Sequence, residues 1–296
     1  MKAVDLSTDK FKVLPQQEVL LHKFDPNFHD GYKNKKEAEK QLMQDIELLS
    51  QLQYQLYAEN KQALLIVFQA MDAAGKDGAI QHVFSGINPQ GCAVHSFKQP
   101  SNNELEHDYF WRHYIRLPER GKICIFNRSH YENVLITKVH PEYLLAENLP
   151  GIHSVADVNK EFWEERYKQI NYFERTIVEN GTMIIKFFLH VSKEEQKKRF
   201  LERIETREKN WKFSSADLKE RSFWKEYQKA YEAAISKTSS DYAPWYIIPA
   251  DNKWFSHVAI GNVIVDTLKK MKIKMPEISD NEKEALKLAK QELLEE

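Results

Sequence analysis

Cysteine is scarce in this chain of 296 residues, which has only Cys92 and Cys124 and no CxxC pair. A disulfide framework is therefore not expected, and a reducing compartment is the simpler environment. Apolar runs long enough to cross a bilayer are also missing, since the longest, such as ALLIVFQAM, have the length of a strand. The first dozen residues lack the apolar core of a signal peptide. We expect a soluble cytoplasmic protein with no membrane contact.

Charge of one sign is not in excess. The formal net charge is −1, from 43 Lys or Arg and 44 Asp or Glu, so the overall basic charge of many nucleic-acid binders is absent. Positive charge is instead local, because residues 197–212 hold seven Lys or Arg against three Glu. A local basic patch on a neutral protein suits a compact polyanion better than duplex DNA. We therefore expect no nucleic-acid partner.

Apolar runs of strand length alternate with helix-like stretches along the chain. The runs are residues 63–69, 92–97, 122–127, 183–189 and 244–250. The clearest helical stretches are residues 76–84, 103–117 and 254–271. Strand–helix alternation with short turns predicts a parallel sheet covered by helices on both faces, a three-layer α/β sandwich.

Two segments lie outside this predicted core. Residues 1–60 form an N-terminal arm, in which residues 33–60 make a long polar helix with an apolar stripe suited to packing on a body or a partner. The charged stretch 207–242 interrupts the sheet before its last strand and is predicted to be a helical lid. We therefore divide the chain into an arm, a core over 61–275 and a charged tail over 276–296.

The segment MDAAGKDG, residues 71–78, directly follows the first run. A Gly-Lys pair where a strand passes into a helix is the centre of a phosphate-binding loop, because backbone N–H groups and the lysine face the anion. The usual pattern is GxxxxGK followed by Ser or Thr; here Ala70 replaces the first glycine and Asp77 the hydroxyl residue. Gly-Lys pairs also occur in plain surface turns, but the order of strand, small-residue turn and helix favours a phosphate loop.

The predicted phosphate contacts are Ala73, Ala74, Gly75, Lys76, Asp77 and Gly78. With the hydroxyl missing, Asp72 and Asp77 offer the oxygen ligands that Mg²⁺ prefers.

A second polar cluster, NRSHYE, residues 127–132, ends the third run. Parallel sheets bind ligands at the carboxyl ends of their strands, so this cluster should face the phosphate loop. A site of the Walker B kind would have an Asp where this chain has Asn127, and Glu132 returns a carboxylate nearby.

Four motifs in this order, MDAAGKDG, FKQPSNNELEHDYFWR, NRSHYE and NWKFSSADL, resemble the second family of polyphosphate kinases, the polyphosphate:nucleotide phosphotransferases. The resemblance runs from about Phe24 to Met271. It implies a P-loop kinase fold like that of thymidylate kinase, with a helical lid and a requirement for Mg²⁺. Much of the family has DRSWYN in place of NRSHYE, and the Asn127/Glu132 pairing resembles its third class, which phosphorylates nucleoside mono- and diphosphates.

The resemblance also assigns roles by position. It makes Asp72 an acid associated with the metal, Lys76 the phosphate lysine and Arg128 a phosphate clamp. Arginine suits that role because it binds phosphate through two parallel hydrogen bonds. The predicted catalytic residues are Asp72, Lys76, Asn127, Arg128 and Glu132, and the predicted metal ligands are Asp72 and Glu132.

Two further groups of residues are candidates for substrate contacts. Arginines recur every four residues after position 198 and would share one helix face, where the alternative is a solvated surface paired with neighbouring glutamates. The predicted polyphosphate contacts are Arg128, Arg199, Arg203, Arg207, Lys209 and Lys212. In the segment 107–112 we expect most aromatic side chains to be core. The predicted nucleotide contacts are Lys98, Asp108 and Arg112.

The sequence thus predicts direct, reversible, Mg²⁺-dependent transfer of a phosphoryl group from inorganic polyphosphate to AMP and ADP, and to other purine nucleotides, in a homo-oligomer. ATP is the product from ADP and the donor in reverse. One alternative is an ATP-dependent nucleoside monophosphate kinase on the same scaffold. Another is a nucleotide- or polyanion-binding regulator without catalysis, suggested by Asn127 in place of Asp.

Overall fold

The computed structural model describes residues 7–29, 31–32 and 34–296, with the backbone alone at Lys212. The strands in this part of the chain are β1 Ala63–Ala70, β2 Cys92–Ser96, β3 Ile123–Asn127, β4 Thr182–His190 and β5 Trp245–Pro249. They form a parallel sheet in the order β2-β3-β1-β4-β5. All eight residues of the central strand β1 are buried, as its unbroken apolar run predicts.

Helices cover both faces of the sheet. They are α1 Lys35–Glu59, α2 Lys76–Val83, α3 Asn102–Leu105, α4 Trp111–Tyr114, α5 Glu132–Val139, α6 Lys160–Glu179, α7 Lys193–Glu205, α8 Ser215–Ser222, α9 Trp224–Thr238, α10 Lys253–Lys270 and α11 Asp280–Glu295. Short 3₁₀ turns lie at Thr8–Lys10, Leu21–Lys23, Pro89–Gly91, Pro141–Glu147, Val155–Asp157 and Arg207–Lys212. Helices α1, α2 and α10 pack together, and α5, α6 and α9 pack together. The predicted α/β sandwich is confirmed. No helix in the described ranges is long and apolar enough to cross a membrane.

The predicted helix over 103–117 is wrong, because the structure has two short helices there, α3 and α4. Ser101 caps α3 through a capping box with Glu104. A few residues later the Asp108 carboxylate accepts a 2.9 Å hydrogen bond from the backbone N–H of Phe110. Such local bonds from Asp to the backbone compete with helix continuation, so the chain turns and starts again at Trp111.

The long helix α1 lies against the body of the protein. It begins after Asn34, whose side chain accepts from the Glu37 N–H at 3.1 Å, and ends at Asn60 in the left-handed conformation. Its apolar stripe is buried at Leu42, Leu49 and Leu56, and it packs along α10. Burial of this stripe fixes α1 as part of one helical layer.

The predicted lid segment divides into two parts in the structure. Helix α9 buries Ala230, Tyr231, Ala234 and Ile235 and packs on α5 and α6. Helix α8, in contrast, buries no residue. The second half of the segment 207–242 is therefore part of the body, which leaves the 3₁₀ turn Arg207–Lys212 and α8 as the outer part.

Candidate active site

The phosphate loop connects β1 to α2. Gly75 precedes the helix with φ +108°, in the left-handed region that glycine adopts without a Cβ clash. Ala73 also has a positive φ, 60°, which is uncommon for a residue with a Cβ. Backbone N–H groups in the first turn of a helix have no intrahelical acceptor and attract anions. The loop therefore has the backbone conformation of a phosphate cradle.

Lys76 is the first residue of α2, and its Nζ lies 3.3 Å from the Ala70 carbonyl oxygen. Burial of the ammonium, together with the nearby charge of Arg128, lowers the pKa of Lys76 to about 8, against the opposing effects of Asp72 and Glu132. The lysine is thus held inside the loop among charged groups and is ready to neutralise a phosphate.

Arg128 joins the end of β3 to the phosphate loop. Its backbone is left-handed, with φ 63°, and such strain in a residue with a Cβ tends to occur at functional sites. Its guanidinium donates to Asp72 at 2.7 Å and to Glu132 at 3.3 Å. The negative charge of Glu132, ahead of that of Asp72, raises the pKa of Arg128, so the guanidinium stays charged. Three residues from two separate motifs therefore meet at one point.

Asp77, which replaces the usual hydroxyl residue of the phosphate loop, contacts Asn127, which replaces the usual acid of a Walker B site. The Asn127 amide donates to the Asp77 carboxylate at 2.7 Å. A carboxylate thus stands on α2 where a hydroxyl is usual, and a neutral amide stands on β3 where an acid is usual. The two changes are complementary, because an amide next to Asp77 donates a hydrogen bond where a second carboxylate would repel it.

A cleft of about 460 Å³ opens beside this cluster, within the size range of small-molecule sites. Lys98 and Arg112 line it together with Arg128 and Glu132. Arg112 donates to the Lys98 carbonyl at 2.9 Å, and its guanidinium lies 5.2 Å from the centre of the Phe97 ring. The aromatic wall is formed by Phe97, Tyr109, Tyr143, Tyr227 and Tyr231. The combination of aromatic surface and cations suits a nucleotide.

Two of the predicted contacts need correction. Asp108 is outside the lining of the cleft, and its exposed carboxylate accepts a hydrogen bond from the Phe110 N–H. Arg199 is buried, and its guanidinium donates to the carbonyl oxygens of Ala73, Ala74 and Ala250, among others. A side chain with its donors bound to carbonyl groups has none to offer polyphosphate. Both residues shape the backbone around the site.

The other predicted basic contacts lie on or near α7. Arg203 is partly exposed and approaches Asp217 of α8 at 3.7 Å, Arg207 is exposed, and Lys209 pairs with Glu202. The Lys212 side chain is outside the described residues. Their contact with polyphosphate stays a prediction.

Several residues at the site were missed by reasoning from the sequence. Asp217 lies 3.7 Å from Arg203, and burial, followed by the negative charge of Asp72, raises the pKa of the Asp217 carboxyl. Gln196 binds the Asp72 carbonyl at 2.9 Å and accepts from Arg221 at 2.6 Å. Asp217 belongs to the motif NWKFSSADL, so its motif was recognised without its role. Gln196 has no signal in a single sequence.

A metal ion at this site would depend on few protein ligands. Within the described residues, no group of three or more His, Cys, Asp or Glu side chains is placed to hold one. Asp72 and Glu132 are the two carboxylates on either side of Arg128. Mg²⁺ is commonly bound by one or two carboxylates together with substrate phosphates and water. The donor set therefore fits Mg²⁺ bound jointly with a substrate.

Comparison with known proteins agrees with this geometry. The family model described as polyphosphate kinase 2 matches residues 32–276. The ADP-polyphosphate phosphotransferase of Rhodopseudomonas palustris is 48% identical over 289 residues, which cover 98% of this chain and 99% of that protein. The AMP/ADP-polyphosphate phosphotransferase of Meiothermus ruber is 42% identical over 269 residues, covering 90% and 95%. The crystal structure of polyphosphate kinase 2 from Arthrobacter aurescens TC1 matches with a TM-score of 0.86 at 33% identity, covering 98% of this chain and 99% of that chain. With the phosphate loop, Arg128 and the cleft in place, this chain belongs to the polyphosphate kinase 2 family.

Proposed function

We propose that the protein transfers the terminal phosphoryl group of inorganic polyphosphate to ADP and AMP, reversibly and with Mg²⁺. The observation that carries the proposal is the position of Arg128, bound to Asp72 of the phosphate loop and to Glu132 at the edge of the cleft. Relatives that align along almost the whole chain bear the names ADP-polyphosphate and AMP/ADP-polyphosphate phosphotransferase, which supports the same reaction here.

The two substrates approach from opposite sides of Arg128. The terminal phosphate of the donor lies in the phosphate loop, against its N–H groups and Lys76. The acceptor nucleotide lies in the cleft, with its base among the aromatic side chains and its phosphates towards Lys98, Arg112 and Arg128. The guanidinium then faces the phosphoryl group in transit, where positive charge lowers the barrier most.

The transfer itself is a single displacement. A terminal oxygen of the acceptor phosphate forms a bond to the last phosphorus of polyphosphate, and the bond from that phosphorus to the next bridging oxygen breaks. The polyphosphate chain shortens by one unit and keeps the electron pair of the broken bond. Because phosphate monoesters lose their second proton near pH 6, roughly, the attacking oxygen is already anionic at neutral pH. No general base is required, so positioning and charge neutralisation account for the catalysis.

Asp72 and Glu132 would hold Mg²⁺ together with the substrate phosphates. The ion supplies positive charge that offsets the repulsion between two polyanions. The protein groups meanwhile orient the phosphates: Lys76 and Arg128 fix the donor, and Lys98 and Arg112 fix the acceptor.

The acceptor range follows from Glu132 and Asn127. Their pairing resembles the third class of the family, and we therefore propose AMP as well as ADP as acceptors, with other purine nucleotides also accepted. The 3₁₀ turn Arg207–Lys212 and α8 form the proposed lid, because α8 buries no residue and its Asp217 contacts Arg203 of α7 at 3.7 Å.

The test uses purified protein with Mg²⁺ and three substrate pairs, which are polyphosphate with ADP, polyphosphate with AMP, and ATP with AMP, and polyphosphate alone is the blank. We expect ATP to form from the first pair and ADP from the second, and ³¹P NMR detects both products. Product formation from ATP and AMP alone would instead identify a nucleoside monophosphate kinase. Nucleotide binding without product in every arm would identify a catalytically inactive binder.

A further inference from the structure

Two side chains of helix α7 donate hydrogen bonds to the backbone carbonyl groups of the phosphate loop. Gln196 donates from Nε2 to the carbonyl oxygen of Asp72 at 2.9 Å. One turn later Arg199 donates from Nη1 to the carbonyl oxygens of Ala73 at 3.0 Å and Ala74 at 2.8 Å. Three consecutive carbonyl groups of the loop are thus bound by two side chains of one helix, and both side chains are buried.

The direction of these carbonyl groups fixes the direction of the loop's donors. In a trans peptide the C=O of one residue and the N–H of the next point in opposite directions. Carbonyl groups of residues 72–74 that face α7 therefore turn the N–H groups of residues 73–75 to the opposite face of the loop. The Ala74 N–H donates to Met71 at 3.2 Å. The N–H groups of Ala73 and Gly75 have no protein acceptor among the described residues, and they remain for an anion.

Every N–H group of the Arg199 guanidinium donates to a group of the protein. Beyond the two loop carbonyls, Nη2 donates to Ala250 at 2.6 Å and to Asp251 at 3.1 Å, and Nε donates to Glu195 at 2.9 Å. All five N–H donors of an arginine are accounted for. The loop is therefore tied to the end of β5, and no donor is left for polyphosphate.

The loop needs such support because its backbone is strained. Ala73 is held at φ 60°, and a residue with a Cβ stays in that region only where its surroundings hold it there. A phosphate cradle acts through donors fixed before the reaction, and small displacements of such donors are costly. Without the hydrogen bonds from α7, the peptide groups of the loop could rotate, and their N–H groups would no longer point at the phosphate.

We propose that Arg199 and Gln196 are positioning residues that fix the amide donors of the phosphate loop for the transferred phosphoryl group, and that neither contacts polyphosphate. The inference rests on the proposed phosphotransferase function. It also gives a link to the acceptor side, since the Gln196 side chain accepts at 2.6 Å from Arg221, which lines the cleft.

The variants Arg199→Lys and Gln196→Met test this role. Lysine keeps the charge but presents one compact ammonium, which cannot serve four carbonyl oxygens at once. We expect kcat of Arg199→Lys to fall roughly tenfold to a hundredfold, with a smaller fall in Gln196→Met. The KM for polyphosphate and its dependence on salt should stay close to those of the wild type. Leu49→Ala, a change at a buried position of α1, the helix that packs along α10, is the control for lost stability.

A measurement independent of turnover accompanies these assays. In ¹⁵N-labelled protein, tripolyphosphate should shift the amide resonances of Ala73 and Gly75 in the wild type, and these shifts should be strongly reduced in Arg199→Lys. This result would support the positioning role of Arg199 even if the wild type made no ATP from polyphosphate. That second outcome would overturn the proposed function alone.

Three results would overturn the inference. A raised KM for polyphosphate with a shallower salt dependence, kcat being unchanged, would make Arg199 a direct contact. Wild-type amide shifts in Arg199→Lys, or a kcat no lower than in Leu49→Ala at an equal loss of melting temperature, would leave both residues as ordinary packing.

Discussion

Arg128 donates a 2.7 Å hydrogen bond to Asp72, which joins the end of β3 to the loop that follows β1. The two strands are neighbours, with Phe68 paired to Asn127 in the sheet. Glu132 binds the other arm of the same guanidinium. With Lys76, the four charged groups sum to zero before substrate binds. Binding of a phosphate or removal of a carboxylate therefore changes the net charge of this cluster.

Glu132→Asn should change acceptor preference. Removing one negative charge at the edge of the cleft lowers repulsion most for the more anionic acceptor, ADP. We expect the ratio of kcat/KM for ADP to that for AMP to rise on the order of tenfold, which corresponds to about 1.4 kcal/mol. The measurement is steady-state kinetics with each acceptor under saturating polyphosphate and Mg²⁺.

The control for this change is Glu179→Gln, which removes an exposed carboxylate that pairs with Arg175 on α6 and does not line the cleft. It should leave the ratio of kcat/KM for the two acceptors unchanged. An unchanged ratio in Glu132→Asn, with a lower melting temperature, would mean that Glu132 only stabilises the start of α5.

The alkaline limit of activity should come from Lys76. Its pKa is lowered to about 8 in the free protein, so the ammonium loses its charge as the pH rises through that value. Since kcat/KM reports the free enzyme, kcat/KM for polyphosphate should fall above pH 8. Bound phosphate stabilises the ammonium, so kcat should persist to higher pH.

Two substitutions check the assignment to Lys76. Lys76→Arg should move the alkaline limb upwards, because a guanidinium stays protonated. Lys76→Ala should lower turnover by roughly a hundredfold or more at neutral pH while the protein stays folded. An alkaline limb that stays near pH 8 in Lys76→Arg would assign it to a different group.

Arg203→Ala should weaken polyphosphate binding more than ADP binding. Arg203 is partly exposed beside the proposed lid, so its attraction for a polyanion is screened over about 10 Å at 0.1 M salt. We expect a higher KM for polyphosphate, with the difference from wild type shrinking as salt is added. Arg175→Ala, an exposed arginine paired with Glu179 on α6, is the matched control. Equal changes in KM for both substrates would show that Arg203 has a structural role.

The ion pair of Lys186 and Glu174 should be essential for stability. Both side chains are fully buried, with 2.5 Å between Nζ and Oε2, and Lys186 also donates to Tyr131 and the Thr238 carbonyl. Lys186→Met leaves the Glu174 carboxylate buried without its cation, which costs about 3–5 kcal/mol. Urea unfolding measures the loss.

The double variant Lys186→Met/Glu174→Gln separates charge from packing, because it removes the uncompensated carboxylate. It should recover part of the lost stability. A single variant as stable as the wild type would mean that the pair contributes nothing beyond its volume.

The sequence predicted the parallel sheet and the two motifs whose charged residues meet at Arg128, because buried strands are unbroken apolar runs and the two motifs stand at strand ends. It did not predict what Arg199 contacts. A repeat of arginines every four residues shows that they share a helix face, but not which turn is buried. The carbonyl oxygens that bind Arg199 come from segments 126 and 51 residues away, and only the folded chain brings them together.

Asp108 and helix α9 also differ from the sequence-based predictions, and each difference has a local cause. Asp108 was predicted to contact the nucleotide, whereas its side chain binds the backbone two residues later, a common use of Asp at turns. Helix α9 was taken as part of a lid from its charge. Its buried residues Ala230, Tyr231, Ala234 and Ile235 recur at the spacing of a buried helix face, so the signal was present in the sequence.

Transfer of a labelled phosphoryl group shows whether polyphosphate is the donor. Polyphosphate labelled with ³²P is mixed with ADP, Mg²⁺ and the protein, and samples are quenched over a single turnover. Direct transfer predicts label in the terminal phosphate of ATP from the first time point, no label covalently attached to the protein, and almost no labelled ATP with Lys76→Ala. Unlabelled nucleotide throughout, from a wild-type protein that still converts ATP and AMP to ADP, would contradict it.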